Sequence, residues 1–183
     1  APVTATSERS LSSTLWQRGR YAQAESLARQ ASSSLAADSV DSRVEWIKSI
    51  SALGNSLASQ GRLPEAEPVY RQALALAQAN PGPTDPDFPS RLSDLGTIVG
   101  MLGRTVEAES LMRRAIELER SNNGSDHPRV ATPLGNLGSQ LIRQNRFADA
   151  EPLLREALAI QRKRLPSPHP RIASTIGNLG VAV

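Results

Sequence analysis

The segment Leu134–Ile160, with the sequence LGNLGSQLIRQNRFADAEPLLREALAI, contains the pattern that decides the fold. Its apolar residues recur three and four positions apart, first over Leu134–Ile142 and again over Ala150–Leu158. Such spacing places the apolar side chains on one face of an amphipathic helix. A short polar stretch around Asn145 separates the two patterns. The segment therefore predicts a helix, a tight turn and a second helix, which we call helix A and helix B.

The same pattern recurs along the chain at an offset of 42 residues. Agreement without insertions in many columns indicates an internal repeat, and a repeat architecture takes precedence over any other interpretation of the sequence. The matching columns are Leu11, Leu53, Leu95, Leu137 and Leu179; Arg20, Arg62, Arg104 and Arg146; Ala24, Ala66, Ala108 and Ala150, each followed by Glu; and Gly54, Gly96, Gly138 and Gly180.

The offset divides the chain into one array of repeats. The first repeat is degenerate, with Glu8 in an otherwise apolar column, and we expect it to cap the array because terminal repeats need a polar outer face. The last repeat contains only helix A. Since the sequence does not begin with Met, we expect it to be a piece of a longer protein. The predicted repeats are approximately 1–42, 43–84, 85–126, 127–168 and the partial 169–183.

Glycine recurs in the middle of helix A, at Gly54, Gly96, Gly138 and Gly180. A glycine inside a helix costs about 1 kcal/mol relative to alanine. Its recurrence therefore predicts that helix A and helix B approach closely at this column, because only a small residue lets two helix axes come together.

The connectors between repeats end in proline, at Pro86, Pro128 and Pro170. Proline is well tolerated at the first position of a helix, so each is expected to begin a helix A. His127 and His169 precede two of these prolines in equivalent columns. One repeat apart, they would lie about 10 to 20 Å from each other, too far to share one metal ion at about 2.1 Å. We interpret both as connector residues.

The amino-acid composition limits the classes of function that the chain can have. With 39% hydrophobic, 21% charged and 3% aromatic residues, the chain can bury a core built from small aliphatic side chains. It has no cysteine, which excludes disulfides and cysteine chemistry but leaves the compartment open, with the cytoplasm favoured. The formal net charge of +3 is a weak excess, and the local basic cluster Arg162–Arg164, followed by Arg171, is expected at a helix end. Nucleic acid is therefore not expected as a partner. No apolar run approaches the roughly 20 residues of a membrane span.

Catalytic and cofactor motifs are missing from the sequence. It has no Gly-x-Ser-x-Gly, phosphate loop, dinucleotide fingerprint or His-Glu-x-x-His. The recurrent glutamates each precede an arginine by four residues, as Glu109 precedes Arg113, a spacing that supports a helix. We therefore expect no enzymatic activity, no cofactor and no metal.

These repeats resemble the tetratricopeptide repeat (TPR), a helix-turn-helix unit with Leu-Gly in helix A and Ala-Glu then Ala-Leu in helix B. The 42-residue period, the run Ala150–Ile160 and the connector Asp126–Val130 resemble the kinesin-light-chain type more specifically. The resemblance covers nearly the whole chain. It implies an all-α fold, a right-handed α-solenoid of TPR repeats.

The resemblance also implies a ligand site. In such proteins the helices A line a concave groove, and an asparagine just before the Leu-Gly pair holds the backbone of an extended peptide. Asn136 and Asn178 occupy that column, while Ala52 and Asp94 stand there in earlier repeats, so the series of asparagines is incomplete. Further polar candidates on the same wall are Asn55, Thr97 and Ser139, with Lys48 and Arg143 adding charge. The alternative is that all are simply solvated polar positions.

The function that follows is non-catalytic recognition of a protein or peptide, as part of a larger multidomain protein. The alternative function is that of a structural or regulatory arm. Such an arm would pack on an attached effector domain, protease-like or nucleotide-binding, or would self-associate, and it would have no free peptide ligand.

Overall fold

The computed structural model describes residues 2–34, 40–79, 85–166 and 168–183, and the regular secondary structure in these ranges is entirely α-helical. Helices A and B alternate as predicted. They are α1 (Pro2–Gln17), α2 (Tyr21–Ser34), α3 (Val40–Ser59), α4 (Leu63–Ala79), α5 (Phe88–Met101), α6 (Thr105–Asn123), α7 (Pro128–Arg143), α8 (Phe147–Arg164) and α9 (Pro170–Ala182).

The chain forms two compact units, Ala1–Arg91 and Leu92–Val183. In the first unit, α1 packs on α2, α2 on α3, and α3 on α4. Its core is built mainly from small and aliphatic residues, together with the aromatic side chains of Phe88 and of Tyr70, which lies against Gly54 of α3. Arg91, at the end of this unit, forms a buried ion pair with Asp85.

In the second unit, α6 packs on α7, α7 on α8 and α8 on α9, and α7 also contacts α9. Its core joins residues of all these helices. The largest fully buried aliphatic side chains of this core are Met112, Leu134, Leu137, Leu141 and Leu154. The predicted apolar stripe of α7 therefore forms the centre of this unit.

The mid-helix glycines of three repeats are in close contact with helix B, as predicted. At each of them, a Cβ atom would approach a large side chain of the following helix to between 2.6 and 3.1 Å. The contacts are Gly54 with Tyr70, Gly96 with Met112, and Gly138 with Leu154. The prediction is wrong at Gly180, where a Cβ would meet nothing within 4 Å, because no described helix B follows α9.

Tight turns join helix A to helix B in a left-handed backbone conformation. Gly19, Gly61 and Gly103 have φ of +72°, +75° and +89°, and Asn145 has +58° in the fourth turn. Glycine adopts positive φ without strain, and asparagine tolerates it better than most residues. This requirement explains why asparagine is the residue that replaces glycine in this column.

The connectors supply the N-caps of helices A. Nδ1 of His127 accepts a hydrogen bond from the backbone N–H of Arg129 at 3.3 Å, and Nδ1 of His169 accepts one from that of Arg171 at 3.1 Å. The histidines are thus connector residues as predicted, with a capping role that the sequence analysis missed.

Proline begins the helix in two of the three connectors. Pro128 and Pro170 are the first residues of α7 and α9. The prediction for Pro86 is wrong, because α5 begins at Phe88. There, the side chain of Asp85 accepts a hydrogen bond from the N–H of Asp87 at 3.0 Å. The remainder of the connector predicted at 80–86, residues 80–84, lies outside the described residues, as does residue 167.

The first and last repeats bury some of their apolar residues less completely than the inner repeats do. Leu11 is 51% exposed and Ile176 45% exposed, although their equivalents Leu137 and Leu134 are fully buried. The difference arises because each side chain needs helices on both sides, and the described residues supply α1 and α9 with neighbours on one side only.

Candidate functional site

A cavity of about 180 Å³ lies between α7 and α9, with the end of α8 at its floor. We call it the α7–α9 cavity. Most of its wall consists of polar side chains and small residues that leave backbone accessible. The lining residues are Ala131, Thr132, Gly135, Asn136, Ser139, Gln161, Arg171, Ser174, Thr175 and Asn178.

The two asparagines predicted as peptide ligands both line this cavity, one on α7 and one on α9. Nδ2 of Asn136 donates to Oγ of Ser93 at 3.0 Å, and Nδ2 of Asn178 donates to Oγ of Ser139 at 2.7 Å. Each amide is therefore held in place by a hydroxyl of a neighbouring helix A. Each also keeps one N–H and its carbonyl oxygen without a hydrogen bond to the described residues. An amide in this state can donate and accept at once.

The other predicted residues of the second unit have varied positions. Ser139 lines the cavity, and its hydroxyl donates to the carbonyl of Gly135 at 2.9 Å while accepting from Asn178. Thr97 is half-buried on α5 and bonds to the carbonyl of Ser93 at 3.0 Å. Asp94 is also half-buried on α5. Arg143 is exposed outside the cavity lining.

Two predicted residues belong to the first unit, and both have partners there. Oδ1 of Asn55 accepts a hydrogen bond from the hydroxyl of Tyr70. Nζ of Lys48 pairs with Glu45 at 3.1 Å, and Glu45 also binds Arg9 at 2.8 Å. Burial would raise the pKa of Glu45, but hydrogen bonds from Lys48 and Arg9 outweigh it and lower that pKa. The charge of Lys48 is thus matched locally by a carboxylate.

Gln161 and Arg171 are cavity residues that sequence reasoning missed. Gln161 is only 7% exposed, and its Oε1 atom is buried without a hydrogen-bond partner in the described residues. Arg171 is exposed and its guanidinium has no ion pair among them. A signal existed in the repeat, because these positions align with Glu119 and Arg129, which form a carboxylate–guanidinium pair.

The recurrent glutamates form ion pairs with arginines, and none of them lines the α7–α9 cavity. Glu109 pairs within its helix with Arg113 at 2.7 Å, as predicted, and also with Arg146 of the next turn at 2.6 Å. The hydrogen bond from Arg113 lowers the pKa of Glu109, burial opposes this, and Arg146 lowers the pKa further. Glu25 repeats the arrangement with Arg29 and Arg62. Sequence reasoning found the pair within the helix and missed the bond between repeats.

The described residues contain no group of three or more side chains suited to hold a metal ion. None of the helices in that part of the chain has the length and apolar character needed to cross a bilayer.

Family models of the tetratricopeptide repeat match residues 47–121 and 90–163, and a further model of the same repeat matches residues 4–34. The chain belongs to the tetratricopeptide-repeat family. This confirms the family predicted from the 42-residue pattern. No curated protein matches the sequence significantly.

Solved structures show the same fold. BtubC (BKLC) from P. vanneervenii has a TM-score of 0.80 at 23% identity, covering 94% of this chain and 68% of its own. A Podosopora anserina chain of nearly identical kinesin light chain TPR-like repeats has a TM-score of 0.77 at 21% identity, covering 100% of this TPR protein and 86% of its own length. Aspartyl phosphate phosphatase F from Bacillus subtilis has a TM-score of 0.82 at 13% identity, and this chain spans 46% of it.

The all-α helical-repeat solenoid and the kinesin-light-chain-like type of repeat are thereby confirmed. A TPR fold of this kind is a protein-interaction scaffold, and its partners are proteins.

Proposed function

We propose that this TPR protein binds an extended peptide in the α7–α9 cavity, without catalysing a reaction, and that Asn136 and Asn178 hold the peptide backbone. The observation that carries the proposal is that both amides line one cavity while retaining an unused N–H and an unused oxygen. An extended peptide offers the complementary carbonyl and N–H groups along its length.

The hydroxyl partners of these amides support the proposal. Ser93 and Ser139 each fix one N–H of an asparagine, so the amide group is already oriented before a ligand arrives. A preorganised polar group loses less side-chain entropy on binding than a mobile one. The small residues beside them, Gly135 and Ala131, leave room for a backbone to approach.

The experiment replaces both asparagines. Peptides selected from a random library on the native chain are titrated against Asn136→Ala/Asn178→Ala, with Asn122→Ala as the control, because Asn122 is exposed on α6 and outside the cavity lining. We expect the double variant to lose about 1 to 3 kcal/mol of binding free energy, since buried polar groups of the peptide lose their partners. The control should bind as the native chain does.

Folding is checked separately by circular dichroism and thermal unfolding. Equal affinity of the native chain and a folded double variant would contradict the proposal. Failure to select any peptide would also contradict it.

One observation favours the alternative function, a structural or regulatory arm that packs on an attached effector domain or on another copy. Ile176 and Val181 of α9 are 45% and 59% exposed, and Val183 after the helix is 78% exposed. Exposed apolar surface forms docking sites in many proteins. Sedimentation of the chain with Val181→Glu beside the native form tests it. Concentration-dependent association that the substitution abolishes would favour self-association over a free peptide ligand.

A further inference from the structure

Two positions of the repeat lie next to each other in space at two successive repeats, but the side chains that occupy them differ in charge. Where α6 meets α7, Glu119 is 1% exposed and accepts hydrogen bonds from Nε of Arg129 at 3.1 Å and from Nδ2 of Asn123 at 2.8 Å. Where α8 meets α9, the equivalent residues are Gln161 and Arg171. A neutral amide thus replaces the carboxylate while the guanidinium is kept.

This replacement leaves two groups without a partner in the described residues, and both belong to residues that line one cavity. The guanidinium of Arg171 has lost the carboxylate that its equivalent retains, and Oε1 of Gln161 is buried without a hydrogen-bond donor in the described residues. Both residues line the α7–α9 cavity. A buried polar atom without a partner is unfavourable, so a ligand that supplies the partner gains affinity from it.

The end of α8 and all of α9 carry charged side chains of one sign. Between Ala157 and Val183 the sequence contains three arginines and one lysine and no acidic residue. Of these, Lys163 is paired with Asp126 at 2.9 Å. The end of α8 and the start of α9 therefore present an excess of positive charge, which attracts an anionic partner.

We propose that the peptide recognised in the α7–α9 cavity carries an aspartate or glutamate whose side-chain carboxylate pairs with Arg171, while a neighbouring backbone N–H donates to Oε1 of Gln161. This inference rests on the proposed peptide-binding function and adds the chemical class of the ligand. The carboxylate belongs to a side chain rather than to the end of the peptide, because a backbone that uses Asn136 and Asn178 on both walls must continue past the cavity.

The comparison of these two repeats also predicts at which repeat the acidic residue of the peptide is recognised. At the preceding repeat, Glu119 already occupies Arg129, so that step has no free cation to offer a carboxylate from outside. Selectivity for an acidic residue is therefore confined to the step at α9. Arg171 is a specificity-determining residue in this interpretation, and Gln161 is the residue that leaves it available.

The test uses a library of random peptides displayed with their carboxyl ends fused to the carrier, so that no terminal carboxylate is free. We expect the native chain to select peptides with Asp or Glu at a single position. Changing that residue to Asn or Gln should weaken binding about three- to tenfold, the range of a partly exposed charge-assisted pair. Synthetic peptides with amidated or free carboxyl ends should bind equally.

Two substitutions test whether the preference for an acidic peptide arises at Arg171 and Gln161. Arg171→Glu reverses the charge, and Gln161→Glu rebuilds the carboxylate that Glu119 provides one repeat earlier. Either variant should bind the acidic peptide no better than its Asn or Gln counterpart. The matched control is Arg162→Glu, which makes the same charge change on the exposed surface of α8 outside the cavity lining and should retain the acidic preference.

The outcomes separate this inference from the function on which it rests. Selected peptides without an acidic preference, or an equal loss from Arg162→Glu and Arg171→Glu, would overturn the inference and leave peptide binding intact. Binding that requires a free carboxyl end would overturn it too. A library that yields no binding peptide, with all variants folded, would overturn the proposed function itself.

Discussion

The junction of α6 with α7 and the junction of α8 with α9 use the same columns of the repeat in different ways. At the first, Glu119 and Arg129 satisfy each other. At the second, Gln161 and Arg171 face a cavity without such a pair. The repeat pattern therefore fixes where a side chain lies, while a single change of residue decides whether that position stabilises the fold or is available to a ligand.

The mid-helix glycines also differ between inner and terminal repeats, and their substitution is expected to have the largest effect on stability. Gly138→Ala places a Cβ 2.6 Å from Cγ of Leu154, which is fully buried. Overpacking a core costs about 1 to 3 kcal/mol, partly offset by the helix preference of alanine. We expect a net loss of about 1 to 2 kcal/mol.

The matched variant is Gly180→Ala, where a Cβ meets nothing within 4 Å. It should stabilise the chain by up to about 1 kcal/mol, because only the helix preference acts. Urea unfolding of the two variants beside the native chain measures both changes. Equal effects at the two positions would show that the junctions do not differ in packing as described.

Glu119 and Gln161 occupy the same column, and exchanging each for the other should change the free energy of unfolding in different ways. Glu119→Gln removes the carboxylate that binds Arg129 and Asn123 in a buried position. We expect it to lower the free energy of unfolding by about 1 kcal/mol, since hydrogen bonds to charged groups are stronger than neutral ones. Gln161→Glu gives Arg171 a partner and should leave stability unchanged or slightly raised. Loss of stability in Gln161→Glu would contradict the equivalence of the columns.

The smallest expected effect is on the stability of the chain at acidic pH. The pKa of Glu109 is lowered by Arg113 and Arg146, so the stability from this carboxylate is present above its unfolded pKa of about 4.5 and is lost as the pH falls through the lower folded value. Glu109→Gln should therefore destabilise at neutral pH by about 0.5 kcal/mol and should show a smaller fall in stability on acidification.

Glu151→Gln is the control for this acid effect. Glu151 pairs with Arg155 in its own helix at 2.6 Å, and no ion pair to another repeat is found for it in the described residues. Denaturant midpoints measured from neutral to acidic pH should thus change more for Glu109→Gln. The opposite order would contradict the importance of the bond between Glu109 and Arg146.

The fold could be predicted from the sequence because each element depends on local spacing. The apolar columns gave the helices, and the recurrent glycines predicted three of the close contacts between them. The contact at Gly180 was predicted wrongly, since it depends on a neighbouring helix rather than on the residue itself.

The candidate site was predicted less completely. Asn136, Asn178 and Ser139 share the α7–α9 cavity. The two asparagines were found from the column that precedes Leu-Gly, and Ser139 was found as a polar residue three positions further along the same helix. Asn55 and Lys48 are bound within the first unit, which polarity alone could not reveal. Gln161 and Arg171 were missed because the significance of a glutamine emerges only when its equivalent, Glu119, is seen to be paired.

The most direct test of peptide binding by the α7–α9 cavity is nuclear magnetic resonance of the side-chain amides during titration with a library-selected peptide. We expect the Nδ2 resonances of Asn136 and Asn178 to shift together and to saturate at one peptide per chain, while that of Asn122 stays in place. Shifts that leave both cavity asparagines unchanged and appear elsewhere would contradict the account.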